Sequence, residues 1–278
     1  MFAACSKELW DGHVAIQFEL AETDITAAQV PAPVFLLCSR LSYLPVVASD
    51  IVKNFQQSAI EFSSHAWFEY AGTPLKSNLP IGVLSDVHRE TSDRVDCSEP
   101  WRVIIHFQNF PAQLLLPGCD ESTSEKYFFH SLKQALFLLG GNTHAFNELG
   151  IEAQRKLWEG VYAGDRRLYE EVASKFLPAS LLNVDSAESE AQSLKCIPMR
   201  IVQRSGAISQ RPIGFVSQSF GGNPTTLRDF LSEEFQGLDI DGTAVLIQGI
   251  AAPLDVPLRD IWSLMCHGDL FLYVALPT

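Results

Sequence analysis

Long basic runs are missing from this sequence, and so are long apolar ones. No stretch of four or more Lys or Arg occurs, the nearest approach being Arg166-Arg167, and the formal net charge is −13. A chain of that sign repels the phosphates of nucleic acid and of acidic lipid, a surface that rewards each basic residue by about 1 kcal/mol. No apolar run nears the roughly 20 residues that span a bilayer. Met1 to Trp10 carries neither the basic flank nor the apolar stretch of a signal peptide. These gaps predict a cytoplasmic protein, held at any membrane by something other than itself.

The familiar catalytic signatures are absent as well. There is no Gly-rich phosphate loop, no His-Glu-x-x-His and no Gly-x-Ser-x-Gly. The six cysteines (Cys5, Cys38, Cys97, Cys119, Cys196, Cys266) lie far apart with no Cys-x-x-Cys, which points to reduced and mostly buried thiols. His267 follows Cys266 directly, but side chains at i and i+1 diverge, so the two form no ready nucleophile pair. Catalytic residues, metal ligands and cofactors are therefore not expected, and the chain reads as a non-enzyme.

What is present suits packed domains: 47% of the 278 residues are hydrophobic and 19% charged. A short helix opens the chain, with Ser6 as its cap, Leu9 and Trp10 apolar, and Gly12 as its stop. Val14, Ile16, Phe18 and Leu20 then alternate as in a half-buried strand, and Val34 to Cys38 completes a long-looped hairpin. Pro45 starts a helix whose face carries Val47, Ile51, Phe55 and Ala59. Trp67-Phe68-Glu69-Tyr70 is strand-like and ends at a turn, Gly72-Thr73-Pro74. Trp101 to Phe107 is another strand. This ββαββ order is that of a ubiquitin-like β-grasp.

The last third repeats it. Ile197, Met199 and Ile201 alternate, Ile213 to Val216 gives a second strand, and Gly221 to Pro224 a turn. Thr226 and Asp229 stand at capping-box spacing before Leu227, Phe230, Leu231 and Phe235. Val245-Leu246-Ile247 and Leu270 to Leu276 follow. Pro74-Leu75 … Pro80-Ile81-x-x-Leu84 matches Pro253-Leu254 … Pro257-Leu258-x-x-Ile261. The repeat puts Leu84 and Ile261 in the two cores, each on a short 3₁₀ segment.

Between the repeats the period turns helical. Ser122 and Glu125 make a capping box for Phe128, Leu132, Ala135, Leu136 and Leu139, and Gly140-Gly141 stops that helix. The acidic pair Asp120-Glu121 is assigned to a solvated loop. A second helix carries Ala153, Leu157 and Val161. A third runs from Asp165 to Pro178 with Leu168, Val172 and Phe176.

The predicted class is α+β: two ubiquitin-like β-grasp domains flanking a helix-rich domain, with a short N-terminal helix. The boundaries are 1–118, 119–182, a Ser-rich acidic linker 183–194, and 195–278. A transferable modifier needs a C-terminal glycine, whereas this sequence closes on Ala275-Leu276-Pro277-Thr278, so docking modules are expected instead.

Several stretches resemble the autophagy protein 5 family: Leu9-Trp10-x-Gly12, Ser39 to Leu44, Trp67 to Lys76, Leu79 to Leu84, Trp101 to Phe107, Phe129 to Ala135, Leu157-Trp158 and Gly164-Asp165. The resemblance implies an isopeptide bond to the ubiquitin-like autophagy protein 12 and binding of an N-terminal helix of autophagy protein 16. It also implies a ligase-like assembly that works with the conjugating enzyme for autophagy protein 8 to attach that protein to phosphatidylethanolamine. Such an assembly is peripheral at the preautophagosomal structure membrane.

By position the acceptor is Lys133. Arg40 matches an arginine that contacts the protein 16 helix, and Leu9 and Trp10 are grouped with it as partner-binding. Arg40→Ala is thus expected to weaken helix binding without unfolding the chain. Segment Phe137 to Glu148 is more apolar than the family pattern leads one to expect, which keeps a non-covalent pairing with protein 12 open.

Lys133 is one of eight lysines, at the margin of its helix's apolar face, so its amine should reach solvent. At a pKa of about 10.4, less than about 0.1% of it is neutral near pH 7. A conjugating enzyme must therefore hold its thioester against the amine. Two rival readings stand beside this one. A cysteine hydrolase would need a Cys near a His and an acid. A signalling adaptor for a small GTPase would need a basic patch, for which only Arg200, Arg204 and Arg211 could serve.

Overall fold

A computed structural model describes residues 9–55, 58, 66–89, 99–116, 120–177, 195–214 and 224–277. Ser6, Ala59, Pro178, the 183–194 linker, Val216 and Gly221-Gly222 lie outside that set.

The first third opens with β1 (His13–Leu20) and β2 (Val34–Ser39) as an antiparallel hairpin. Alternation turns Val14, Ile16, Phe18 and Leu20 inward. α1 (Leu44–Phe55) has Pro45 in its first turn, where a missing N–H costs nothing, and it buries Leu44, Ile51 and Phe55. β3 (Trp67–Tyr70) turns at Ala71-Gly72 into β4 (Thr73–Pro74), so the last two residues of the expected turn are a short strand. α2 (Ile81–His88) and β5 (Trp101–His106) complete the unit. β5 lies parallel to β1, and the sheet order is β2-β1-β5-β3-β4.

The last third builds the same sheet from different residues. β6 (Cys196–Ile197), β7 (Met199–Gln203), β8 (Ile208–Gln210) and β9 (Ile213–Gly214) precede α7 (Leu227–Glu234), β10 (Leu246–Ile247), β11 (Ile250–Ala251), α8 (Leu258–Met265) and β12 (Leu272–Leu276). β12 runs parallel to β7 in the order β11-β10-β12-β7-β8. Thr226 and Asp229 form both halves of the capping box on α7.

The second strand of this copy is not at Ile213. β7 turns at Gly206 (φ 81°) and pairs with Ile208–Gln210, while Ile213–Gly214 pairs with β6. Both pairings share one register, in which Pro198 faces Pro212. Two opposed prolines remove two ladder donors, and a single hairpin splits there into separate sheets.

The Leu84 and Ile261 side chains are buried as the repeat predicts. Their segments are two-turn α-helices, α2 and α8, longer than the short 3₁₀ pieces expected. Every residue of α2 is buried. It packs on β1 and β2 of its own sheet and on β7 and β12 of the other, and this cover on both sides sustains the longer helix.

The middle third holds α3 (Glu121–Gly140), α4 (His144–Asn147), α5 (Ile151–Ala163) and α6 (Arg166–Ala173). Asp120, not Ser122, caps α3: its carboxylate accepts the Thr123 N–H at 2.7 Å. Hydrogen bonds from the Thr123 side chain and, second, from its backbone N–H hold the Asp120 carboxyl below its ordinary range. Gly141 ends α3 in the left-handed region at φ 79°. The short α4 was hidden in the apolar stretch after α3, and it inserts Phe146 into the core. One hydrophobic cluster runs through all three parts.

Candidate functional site

α3 buries Phe128, Leu132, Ala135, Leu136 and Leu139 and leaves Lys133 exposed. The Lys133 Nζ stands 5.5 Å from the centroid of the Phe146 ring, a cation–π distance. Phe146 is itself fixed by Phe129 and Phe176, with ring centroids at 5.8 and 5.4 Å. One turn beyond Lys133, Phe137 is 60% exposed, so the amine borders an apolar surface.

The same helix is gripped from the last third. Arg200 of β7 donates from Nη1 to Ser131 Oγ at 2.9 Å and from Nη2 to Gln134 Oε1 at 3.1 Å. Its Nε donates to Gln210 Oε1 at 2.9 Å, and its guanidinium lies 3.8 Å above the Phe271 ring centroid. Arg200 Nη1 also reaches the Tyr273 hydroxyl at 2.9 Å, which in turn donates to Asp269 Oδ2 at 2.7 Å. Burial raises the Asp269 carboxyl above its ordinary range, with Arg200 and the Tyr273 hydroxyl pulling the other way. The end of α3 is tied separately, by the Lys195 N–H to Leu139 O at 2.9 Å.

Arg40 lies elsewhere, in the seam between the two sheets. It follows β2, and only 14% of its side chain is exposed. Its Nη2 pairs with Asp86 Oδ2 of α2 at 2.5 Å and donates to Gly82 O at 3.3 Å. Asp86 Oδ2 also accepts the Gly249 N–H at 2.8 Å, so one carboxylate joins both thirds. Two glycines make the room. A Cβ on Gly82 would stand 2.9 Å from Arg40 Cβ, and one on Gly249 (φ 82°) would stand 3.1 Å from Nη1.

Arg40→Ala would also break an internal ion pair, because the chain itself supplies a carboxylate to this arginine. Trp10 is likewise spent inside. It is buried against Tyr169 with centroids 4.8 Å apart, and the Tyr169 hydroxyl donates to Gly268 O at 2.8 Å. Leu9 is half-buried and packs on the core. Arg40 thus lies in the seam, Trp10 packs on α6 where that helix meets the last third, and neither is brought together with Lys133.

Two of the described thiols are poor nucleophiles. Burial pushes Cys38 and Cys266 up to about 12, so neither supplies thiolate near neutrality. Burial lowers His267 to about 3, with the Arg40 charge assisting, and its ring packs edge-on to Tyr273. Of the three arginines that could form an adaptor's basic patch, Arg200 is committed to α3 and Arg211 pairs with Glu234 at 2.8 Å.

Three family models match consecutive parts of the chain. Residues 9–107 match the Autophagy protein ATG5 UblA domain, residues 121–179 its alpha-helical bundle region, and residues 196–276 its UblB domain. The chain belongs to the autophagy protein 5 family.

Within the autophagy protein 5 family, Autophagy protein 5 of Arabidopsis thaliana is 29% identical over 227 residues, or 80% of this chain and 66% of that protein. Its counterpart in Oryza sativa subsp. indica is 32% identical over 174 residues, covering 62% of this chain and 44% of that protein. The matches span less than two thirds of the length of these two relatives. The crystal structure of Kluyveromyces marxianus Atg5 superposes with a TM-score of 0.80 at 19% identity, covering 98% of each chain. At that identity the likeness establishes the fold, two ubiquitin-like domains around a helical bundle. None of the three family descriptions is that of a catalytic enzyme.

Sequence reasoning missed Asp86, Gly249, Ser131 and Gln134. Ser131 and Gln134 carried a usable signal, since i and i+3 share a helix face. Asp86 and Gly249 carried none, because their pairing spans 163 positions.

Proposed function

We propose that the chain is a non-catalytic autophagy scaffold, joined through Lys133 to the ubiquitin-like autophagy protein 12 and bound by a helix of autophagy protein 16. In this reading the assembly is ligase-like: it presents the conjugating enzyme for autophagy protein 8 and promotes attachment of that protein to phosphatidylethanolamine. It works from the cytoplasm, peripheral at the preautophagosomal structure membrane. No described helix is long and apolar enough to cross a membrane.

The observation that carries the reading is the placement of Lys133: an exposed amine on a helix braced along its length, in a chain of this family. An acyl acceptor must approach a thioester carbonyl to about 3–3.5 Å. A fixed helix limits the search to the lysine's own rotamers. Tryptic mass spectrometry of the protein from its native cells under active autophagy tests it. A branched Lys133 peptide is expected; Lys133 found only unmodified, with protein 12 still co-purifying, would replace the covalent attachment by a non-covalent one.

A further inference from the structure

We propose that Arg200 is a positioning residue for Lys133: the last domain reaches across to the acceptor helix and fixes the direction in which the amine points. The inference rests on Lys133 being the acceptor. Ser131 and Gln134 lie on one face of α3, one turn apart, and Arg200 Nη1 and Nη2 bond one each, at 2.9 and 3.1 Å. At about 100° per residue, Lys133 projects well round the helix from that face. Arg200 therefore holds the back of the helix and leaves the amine clear.

Arg200 is itself immobilised, by Gln210, by the Tyr273 hydroxyl and by the Phe271 ring beneath its plane. With the buried inner face of α3, the brace resists a roll of the helix about its axis. A roll of about 20° carries a lysine amine, about 8 Å from that axis, through about 3 Å. Displacements of even about 1 Å can lower a rate by about a hundredfold. The Lys195 N–H on Leu139 O secures only the end of α3. The chemistry is unchanged by this role. The Lys133 nitrogen attacks the modifier's thioester carbonyl, the C–N bond forms as the C–S bond breaks, the conjugating enzyme's thiolate leaves, and the ammonium proton passes to solvent.

The test is single-turnover and steady-state conjugation of the full chain with a conjugating enzyme charged with the modifier. Arg200→Lys keeps the charge but loses the fork. The double variant Ser131→Ala/Gln134→Ala removes the α3 acceptors and leaves every contact of Arg200 within its own domain, so it decides the matter if Arg200→Lys fails to fold. Both are expected to lower kcat about tenfold with KM within twofold of wild type. A kcat that is unchanged in the double variant, or a fall confined to KM, overturns the inference. Lys133→Arg separates the two levels: if it still accepts the modifier at another lysine, the acceptor assignment fails first and the role of Arg200 with it.

Discussion

His88 and His267 are both held neutral by burial, at about 4 and about 3, and the Arg204 and Arg40 charges add to the effect. Once unfolded, each takes up a proton below about pH 6.5, while the folded chain refuses it until far lower. Stability should therefore fall as pH drops from 6.5 toward 4, by up to about 1.4 kcal/mol per pH unit for each histidine. Asp269, whose carboxyl is raised, works in the opposite sense. The comparison is thus made between wild type and His267→Phe at each pH. Urea midpoints at pH 7.5, 6 and 5 should show the wild type losing ground to the variant; parallel curves would contradict the assignment. In the same seam, Arg40→Ala should cost about 3 kcal/mol by breaking a buried ion pair. Protein 16 binding by this variant is interpretable only alongside its denaturation curve. The sequence could not disclose this pairing, because Arg40 and Asp86 are 46 positions apart and each looks like an ordinary surface charge.

Elements were more legible than contacts, because periodicity is local and tertiary pairing is not. Alternation located β1, and spacing-four repeats located α1 and the inward face of α3. The Thr226–Asp229 box carried its own geometry in three residues. Failures came where the local signal was short or shared. Ile208–Gln210 is three residues long, two of them polar, and its partner is chosen by the turn at Gly206. At the start of α3 the sequence spacing favours Ser122, yet the cap is Asp120, whose acidic pair reads as an ordinary solvated loop. Asp120→Ala should accordingly destabilise the protein by about 1 kcal/mol in thermal unfolding, whereas Ser122→Ala should be close to neutral. Equal losses would place the cap elsewhere. The repeat was the strongest long-range clue, since two copies of Pro-apolar-x-x-apolar fixed Leu84 and Ile261 together. It could not foretell that α2 is buried all round, for that depends on the second sheet.

At the scale of the whole molecule the three domains are joined by bonds as well as by apolar contact. Lys76 Nζ donates to Gly206 O, Asp86 accepts from Gly249, Tyr169 donates to Gly268 O, and Arg200 bridges to α3. With one hydrophobic cluster beneath them, these ties should make the described domains unfold together. Calorimetry should give a single transition, with calorimetric and van't Hoff enthalpies in agreement. Two or three resolved transitions would show the seams to be weaker than the cores they join.

The facing prolines have a consequence for how this chain can change. Lys195 grips the end of α3 from one side of Pro198, and Arg200 grips its middle from the other. The strand between them acts as a ruler laid along the helix. Insertion of one residue there would move the two grips out of step by about 3.3 Å and turn Arg200 to the opposite side of its sheet. That arm cannot change length without losing one of its two grips on α3.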